Sequence, residues 1–219
     1  MRVLDSGTVV AINMLCAVTF GAQAPAARPL PKLLAEGEEI ALALEAALPN
    51  VSRDATVYVF KRGGHVVARQ GTNGFACLVS RDHPDSLYPI CYDGEATRTI
   101  LPVQIKQQEL REQGKSEEEI DREVAARYAD GTFTPPARPA MAYMMSPHQV
   151  IYASPKGPRV GQYKPHLMLY VPFASRASLG LDQSLDKNAF LVSEGTPRTH
   201  LIIPVSDWST APPARAPGR

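Results

Sequence analysis

The sequence predicts an α+β domain, in which an antiparallel sheet carries an N-terminal helix and a central helical hairpin. Two groups of short apolar runs, each broken by glycine or proline turns, lie on either side of a charged stretch with helical spacing. Hydrophobic residues make up 44% of the 219 residues, enough for a core. We therefore expect one domain over residues 33–208, whose sheet is divided in sequence by the helices.

Residues 1–24 predict a cleavable signal peptide. Nearly every residue from 8 to 20 is apolar or small, and Ala22-Gln23-Ala24 matches the small-x-small pattern that signal peptidase accepts. The apolar run is shorter than the roughly 20 residues that a membrane span needs. A buried N-terminal strand or helix is the alternative. Export predicts a periplasmic or secreted protein with no membrane segment after cleavage.

The cysteine count depends on the signal peptide. Its removal takes Cys16 and leaves Cys77 and Cys91, and an even pair in an oxidising compartment indicates a disulfide. Closing a loop of about 15 residues would stabilise the fold by roughly 3 kcal/mol in the chain-entropy model. If the protein were cytosolic, two buried thiols would be the alternative.

The first half of the domain predicts one helix followed by strands. After a Pro/Ala-rich linker at 25–32, residues 33–48 have apolar positions at helical spacing. Segments 56–60, 65–69 and 75–80 are separated by glycine turns, which predicts a three-stranded meander. Further strands are expected at 88–92 and 97–105. The disulfide would join the third strand to the fourth.

The second half starts with a charged helical stretch at 107–127, interrupted at Gly114. Ser116 is followed three residues later by Glu119, a capping box that opens a second helix. The charges predict a solvated face. Later strands are expected at the segments 140–145, 149–152, 166–173 and 200–205. The proline-rich end, 209–219, has little to bury and predicts a disordered tail.

Charge and motifs exclude several function classes. The net charge is only +1, from 23 basic and 22 acidic residues, so no strong field attracts nucleic acid or an anionic membrane. The sequence has no His-Glu-x-x-His zinc helix, no Gly-x-Ser-x-Gly elbow and no dinucleotide-binding glycine pattern. We therefore expect no nucleic-acid partner and assign no cofactor and no metal site.

The predicted strand at 166–173 supplies the first candidate site. Alternation places one group of side chains on a shared face: His166, Met168 and Tyr170. The alternate positions are expected to face the core: Leu167, Leu169, Val171 and Phe173. The first group predicts the lining of a small-molecule pocket, or nitrogen and sulfur ligands for copper. The alternative is a half-buried strand whose histidine is hydrogen-bonded within the fold and has a structural role only.

The loop after the third strand supplies the second candidate site. His83 lies between Asp82 and Asp85, inside the expected disulfide loop, and can act as a general base oriented by either carboxylate. The alternative is a turn held by local hydrogen bonds of aspartate beside proline. If His166 lies close to this loop, the catalytic candidates are His83, Asp82 and His166.

Several stretches together carry a resemblance: Glu39-Ile40-Ala41-Leu42-Ala43-Leu44, Arg62-Gly63-Gly64, Gly71-Thr72-Asn73-Gly74-Phe75, Cys77-Leu78-Val79, Pro165-His166, Gly195-Thr196-Pro197 and Ile202-Ile203-Pro204-Val205. In these the chain resembles uncharacterised exported proteins found in bacterial genomes. The resemblance implies a bacterial source and one domain, and it supplies no catalytic residues.

Two function classes follow from these observations. The favoured one is a non-catalytic exported domain that binds a ligand or interacts with a partner, either an unknown small molecule or an envelope protein. The alternative is a small exported hydrolase or metal-dependent enzyme that uses His83, Asp82 and His166.

Overall fold

The structure is a computed structural model that describes residues 30–152, 157–159, 164–181 and 189–205. The predicted signal peptide and the predicted tail lie outside these residues. The helices are α1 (Glu36–Leu44), α2 (Pro49–Ser52), α3 (Gly94–Thr99), α4 (Leu101–Glu112) and α5 (Glu117–Ala129), with a 3-10 turn at Ala177–Leu179. In the described part of the chain, no helix is long and apolar enough to cross a membrane.

In the residues that the structure describes, eight strands form a single sheet. They are β1 (Thr56–Lys61), β2 (Gly64–Arg69), β3 (Ala76–Ser80), β4 (Tyr88–Tyr92), β5 (Ala140–Met144), β6 (His166–Tyr170), β7 (Phe190–Val192) and β8 (His200–Pro204). Their order is β2-β1-β3-β4-β5-β6-β8-β7, so the first four strands lie beside one another and the last four continue the sheet. Helices α3 to α5 separate the two halves in sequence, as the sequence predicts.

The sheet is mixed, which corrects the predicted antiparallel sheet and meander. β3 pairs with β1 in parallel, with Thr56 opposite Ala76, and every other pair among the eight described strands is antiparallel. The connection from β2 therefore passes the start of β1, where Thr72 N donates to Asp54 O at 2.8 Å. A Cβ on Gly71 would lie 2.2 Å from the Ala55 carbonyl carbon, so the chain can pass here only because this residue is glycine. The α+β class holds.

The predicted strand at 97–105 is wrong, because this segment forms α3 and α4. The Asp93 carboxylate accepts a hydrogen bond from Ala96 N at 2.8 Å and so caps the start of α3. Ile100 and Val103 are buried at helical spacing. The predicted strand at 149–152 forms only isolated bridges, one of them between Leu87 and Val150. The predicted capping box is present: Ser116 and Glu119 each accept from the other's backbone N–H.

Helices cover both faces of the sheet. On one face α1 packs against β1, β3 and β4, in a cluster that includes Ala43, Ala46, Val57, Val79 and both cysteines of the disulfide. On the other face α3 and α4 contribute to a larger cluster that includes Leu78, Ile90, Tyr92, Ile100, Leu101 and Ile202. Helices α4 and α5 pack on each other through Val103, Leu110, Ile120 and Val124.

A buried ion pair holds α1 on the sheet. Arg81 donates two hydrogen bonds to the Glu39 carboxylate, at 2.9 and 2.8 Å, and the side chains are 0% and 1% exposed. Glu39 Oε1 also accepts from Phe60 N at 2.9 Å, and the Arg81 guanidinium lies 4.9 Å from the centre of the Phe60 ring. Both charges are therefore paired, which favours the presence of such a pair in a core, although the buried Arg81 Nε has no hydrogen-bond partner among the described residues.

Candidate ligand-binding cavity

The predicted disulfide is present and connects β3 to β4. Cys77 and Cys91 face each other in the register, with their α-carbons 4.0 Å apart. Both residues are fully buried on the side of the sheet that α1 covers. The bridge therefore closes the chain segment that contains the Asp82-His83 loop. It does not contribute to the opposite face of the sheet.

A cavity of about 380 Å³ lies on that opposite face, between the sheet and α4. This volume falls within the range of small-ligand sites in proteins. Much of its wall is apolar, with side chains that include Ile90, Ile100, Met144, Ile151, Phe190 and Ile202. Polar side chains from the loop after β3, from α4 and from the segment before β8 complete the lining.

The face predicted for a ligand pocket lines this cavity. His166, Met168 and Tyr170 are all buried and all contribute to its wall. The expectation that the alternate residues face the core is wrong: Leu167 is half-buried on the opposite face, and Phe173 lies beyond the strand and is 59% exposed. The reason is that the larger apolar cluster occupies the His166 side of the sheet, where α3 and α4 pack.

Two imidazoles line the cavity, His166 on β6 and His200 on the adjacent β8. Burial lowers the pKa of both, and the Arg198 charge lowers the pKa of His200 further. The Nδ1 atoms lie 3.0 Å from Lys164 O and 2.9 Å from Arg198 O, respectively. A carbonyl oxygen can only accept, so each Nδ1 carries a proton, and the Nε2 atom of a neutral ring would be an acceptor.

One end of the cavity, which we call the acidic end, consists of Asp82 and Tyr88. Burial raises the pKa of Tyr88, the negative charge of Asp82 raises it further, and the Tyr88 hydroxyl interacts with the side chains of Ser80 and Asp82. Gln104 of α4 donates to the Ser80 hydroxyl. Among the described residues, the Asp82 Oδ1 atom is buried and has no hydrogen-bond partner.

The other end, which we call the basic end, consists of Arg198, Tyr170 and His200. Arg198 Nη1 donates to Gln107 Oε1 at 3.2 Å, which connects the segment before β8 to α4. Burial raises the pKa of Tyr170, and the Arg198 charge opposes that shift. The Tyr170 and His200 rings lie 5.2 Å apart between centroids. Arg198 is therefore placed where an anionic group of a ligand would be stabilised.

The three predicted catalytic residues are only partly brought together. Asp82 and His166 line the same cavity, whereas His83 is not among its lining residues. The His83 ring stacks on Tyr152, with centroids 3.7 Å apart, and its Nδ1 accepts from Asp85 N at 3.1 Å. The Ser86 hydroxyl also holds the loop, because it accepts hydrogen bonds from Asp82 N and His83 N. In the ranges that the structure describes, no group of three or more His, Cys, Asp or Glu is placed to hold a metal.

Sequence reasoning missed Tyr88, Tyr92, Arg198 and His200 as lining residues. The signal was partly available, because alternation along a strand at 200–205 puts His200 on the same face as Ile202. Nothing local shows that this strand lies next to β6, and only that pairing brings the two histidines to one cavity.

Comparisons with protein-family models, with curated proteins and with solved structures find no match to the chain.

Proposed function

We propose that this chain binds a small organic ligand in the cavity between the sheet and α4. The observation that carries the proposal is a cavity of about 380 Å³ with a largely apolar wall and charged side chains at both ends. Apolar walls favour ligands by removing their surface from water, and a few polar groups set the orientation. The predicted residues His166, Met168 and Tyr170 would contact the ligand from β6.

The alternative, an exported hydrolase or metal-dependent enzyme, remains a second candidate because Asp82 and His166 share the cavity. We rank it lower because His83, its proposed general base, is held by Asp85 N and Tyr152 and does not line the cavity. A general base must come within hydrogen-bond reach of the proton it removes.

We also propose that the protein works outside the bacterial cytoplasm, where it would meet its ligand in the periplasm or the medium. The buried Cys77–Cys91 bridge supports this location, because such bonds persist in oxidising compartments. We expect the intact mass of the protein, expressed in a bacterium, to match cleavage after Ala24 with the loss of two hydrogens. A full-length mass with two thiols that react with an alkylating agent would contradict this proposal.

Cavity binding can be tested with the fluorescent anion 8-anilinonaphthalene-1-sulfonate, using Val192→Trp to fill the cavity. Val192 is half-buried on β7 and lines the cavity, so a larger side chain would occupy ligand volume. We expect the affinity for the dye to fall about tenfold or more, which corresponds to about 1.4 kcal/mol.

The matched control is Val67→Trp, which adds the same side chain on β2 at the far edge of the sheet, where Val67 is 48% exposed. Dye affinity should stay unchanged in this variant. Circular dichroism checks that both variants keep the fold. Equal dye binding by Val192→Trp and the unsubstituted protein would contradict the cavity proposal.

A further inference from the structure

At the acidic end of the cavity, one carboxylate oxygen has no hydrogen-bond donor in the described part of the chain. Tyr88 interacts with the Asp82 side chain, but Asp82 Oδ1 is buried with no partner among the described residues. The Arg111 charge also acts on Asp82, but the Arg111 guanidinium is itself hydrogen-bonded to Glu117. A carboxylate oxygen that is removed from water without a hydrogen bond carries a large free-energy cost. A ligand with an N–H donor would remove that cost, and an ammonium group would do so most strongly because its hydrogen bond is charge-assisted.

The basic end offers donors to an anion. A guanidinium has five N–H donors in a planar fork. Within the described part of the chain, the Arg198 guanidinium donates one hydrogen bond to Gln107 Oε1 and lies 4.0 Å from Asp121 Oδ1. The Asp121 side chain is 70% exposed, so solvent screens its competition for the arginine. The fork matches the geometry of a carboxylate.

The two ends are too far apart for a ligand whose charges share one carbon. The register gives the separation of Tyr88, at the acidic end, from Tyr170, at the basic end. Tyr92 lies four residues beyond Tyr88 on β4 and pairs with Ala142 of β5. Ala140 lies two residues further in the same direction and pairs with Tyr170 of β6. This distance along the strands is roughly 20 Å between α-carbons. Side chains of the length of aspartate and arginine would take up part of this distance and leave on the order of 10 Å, which is the length of about three extended residues.

The wall between the ends suits a peptide with apolar side chains. Ile90, Met168 and Ile202 form part of this wall and would pack against such side chains. Peptide groups also need hydrogen-bond partners when they leave water. Gln107 and His200 line the same space and can supply a donor and an acceptor.

We infer that the cavity binds a short apolar peptide of two or three residues with free termini, its ammonium group at Asp82 and its carboxylate at Arg198. This inference rests on the proposed binding function and specifies its ligand class.

The first test uses the unsubstituted protein and three probes: Ala-Leu-Ala with free termini, the same peptide N-acetylated, and the same peptide C-amidated. Each modification removes one charge and leaves the apolar body unchanged. We expect isothermal titration calorimetry to show binding of the free peptide, and each modification to weaken it about tenfold or more. Free leucine should bind more weakly than the tripeptide, because it cannot reach both ends.

The second test assigns each terminus to its residue. In Asp82→Asn, we expect the acetylated peptide to bind as tightly as the free peptide, while the amidated peptide still binds more weakly. In Arg198→Gln, we expect the amidated peptide to bind as tightly as the free peptide, while the acetylated peptide still binds more weakly. Asp85→Asn is the matched control, because Asp85 lies in the same loop and its side chain is 72% exposed. It should bind the free peptide within about twofold of the unsubstituted protein. Circular dichroism confirms folding, and the modified peptides test the inference even if a variant does not fold.

Three results would overturn the peptide inference: no binding of the free peptide, equal binding of the modified peptides, or leucine binding as tightly as the tripeptide. The cavity proposal would survive each of them if Val192→Trp still reduces dye affinity. Both would fail if the dye is insensitive to that substitution and the peptides do not bind.

Discussion

Replacing Arg81 with methionine is expected to destabilise the protein by about 3–5 kcal/mol, because it leaves a buried charge without its partner. Glu39 is 1% exposed and would keep only the hydrogen bond from Phe60 N at 2.9 Å. The loss would act on the contact between α1 and the sheet, since this pair connects the helix to the residue that follows β3. Urea unfolding followed by circular dichroism measures the change.

Removing both charges should be less harmful than removing one. We expect the double variant Arg81→Met with Glu39→Leu to recover several kcal/mol of the single variant's loss, because apolar residues of similar volume often replace a buried ion pair without cost. Recovery will be incomplete, since Phe60 N then loses its acceptor.

The matched control is Lys61→Met, which breaks another ion pair between α1 and the sheet. Lys61 Nζ lies 2.8 Å from Glu36 Oε2, the same separation as in the buried pair, but the side chains are 46% and 56% exposed. We expect a change within about 1 kcal/mol, because water already solvates both charges. If Arg81→Met lowers the free energy of unfolding no more than this control does, burial does not explain the contribution of the Arg81–Glu39 pair to stability.

Replacing Gly71 with alanine is expected to destabilise the protein by about 3 kcal/mol or more, through backbone strain that nothing nearby can relieve. The added Cβ would lie 2.2 Å from Ala55 C and from Thr56 N, and 2.5 Å from Asp54 O. These are backbone atoms at the start of β1, and moving them would disturb the hydrogen bonds that place β3 beside β1, such as Thr56 N to Phe75 O at 2.8 Å.

Gly37→Ala provides the control for this prediction. Gly37 lies in α1, and a Cβ there would meet nothing within 4 Å. Alanine favours the helix by up to about 1 kcal/mol over glycine, so this variant should be as stable as the unsubstituted protein or more so. Urea midpoints compare the two. Equal stability of both variants would mean that the connection does not pass so close to β1, and the parallel placement of β3 would lose its support.

The sequence by itself determined the features that depend on short-range pattern. These are the α+β class, the capping box at Ser116, the positions of most strands, and the shared face of His166, Met168 and Tyr170. Each follows from the spacing of neighbouring residues, because helices and strands repeat with fixed periods. The cysteine pair also followed, from the cysteine count and the predicted export.

Only the tertiary structure decided which elements meet. Alternation does not specify a strand's neighbour, so it could not place β3 in parallel beside β1 or β8 beside β6. It also favoured a strand at 97–105, where the packing of α3 and α4 on the sheet determines a helical conformation instead. The cavity depends on these long-range contacts: Asp82, His166 and Arg198 are distant in sequence, and their common position follows from strand order and from the face that α4 covers.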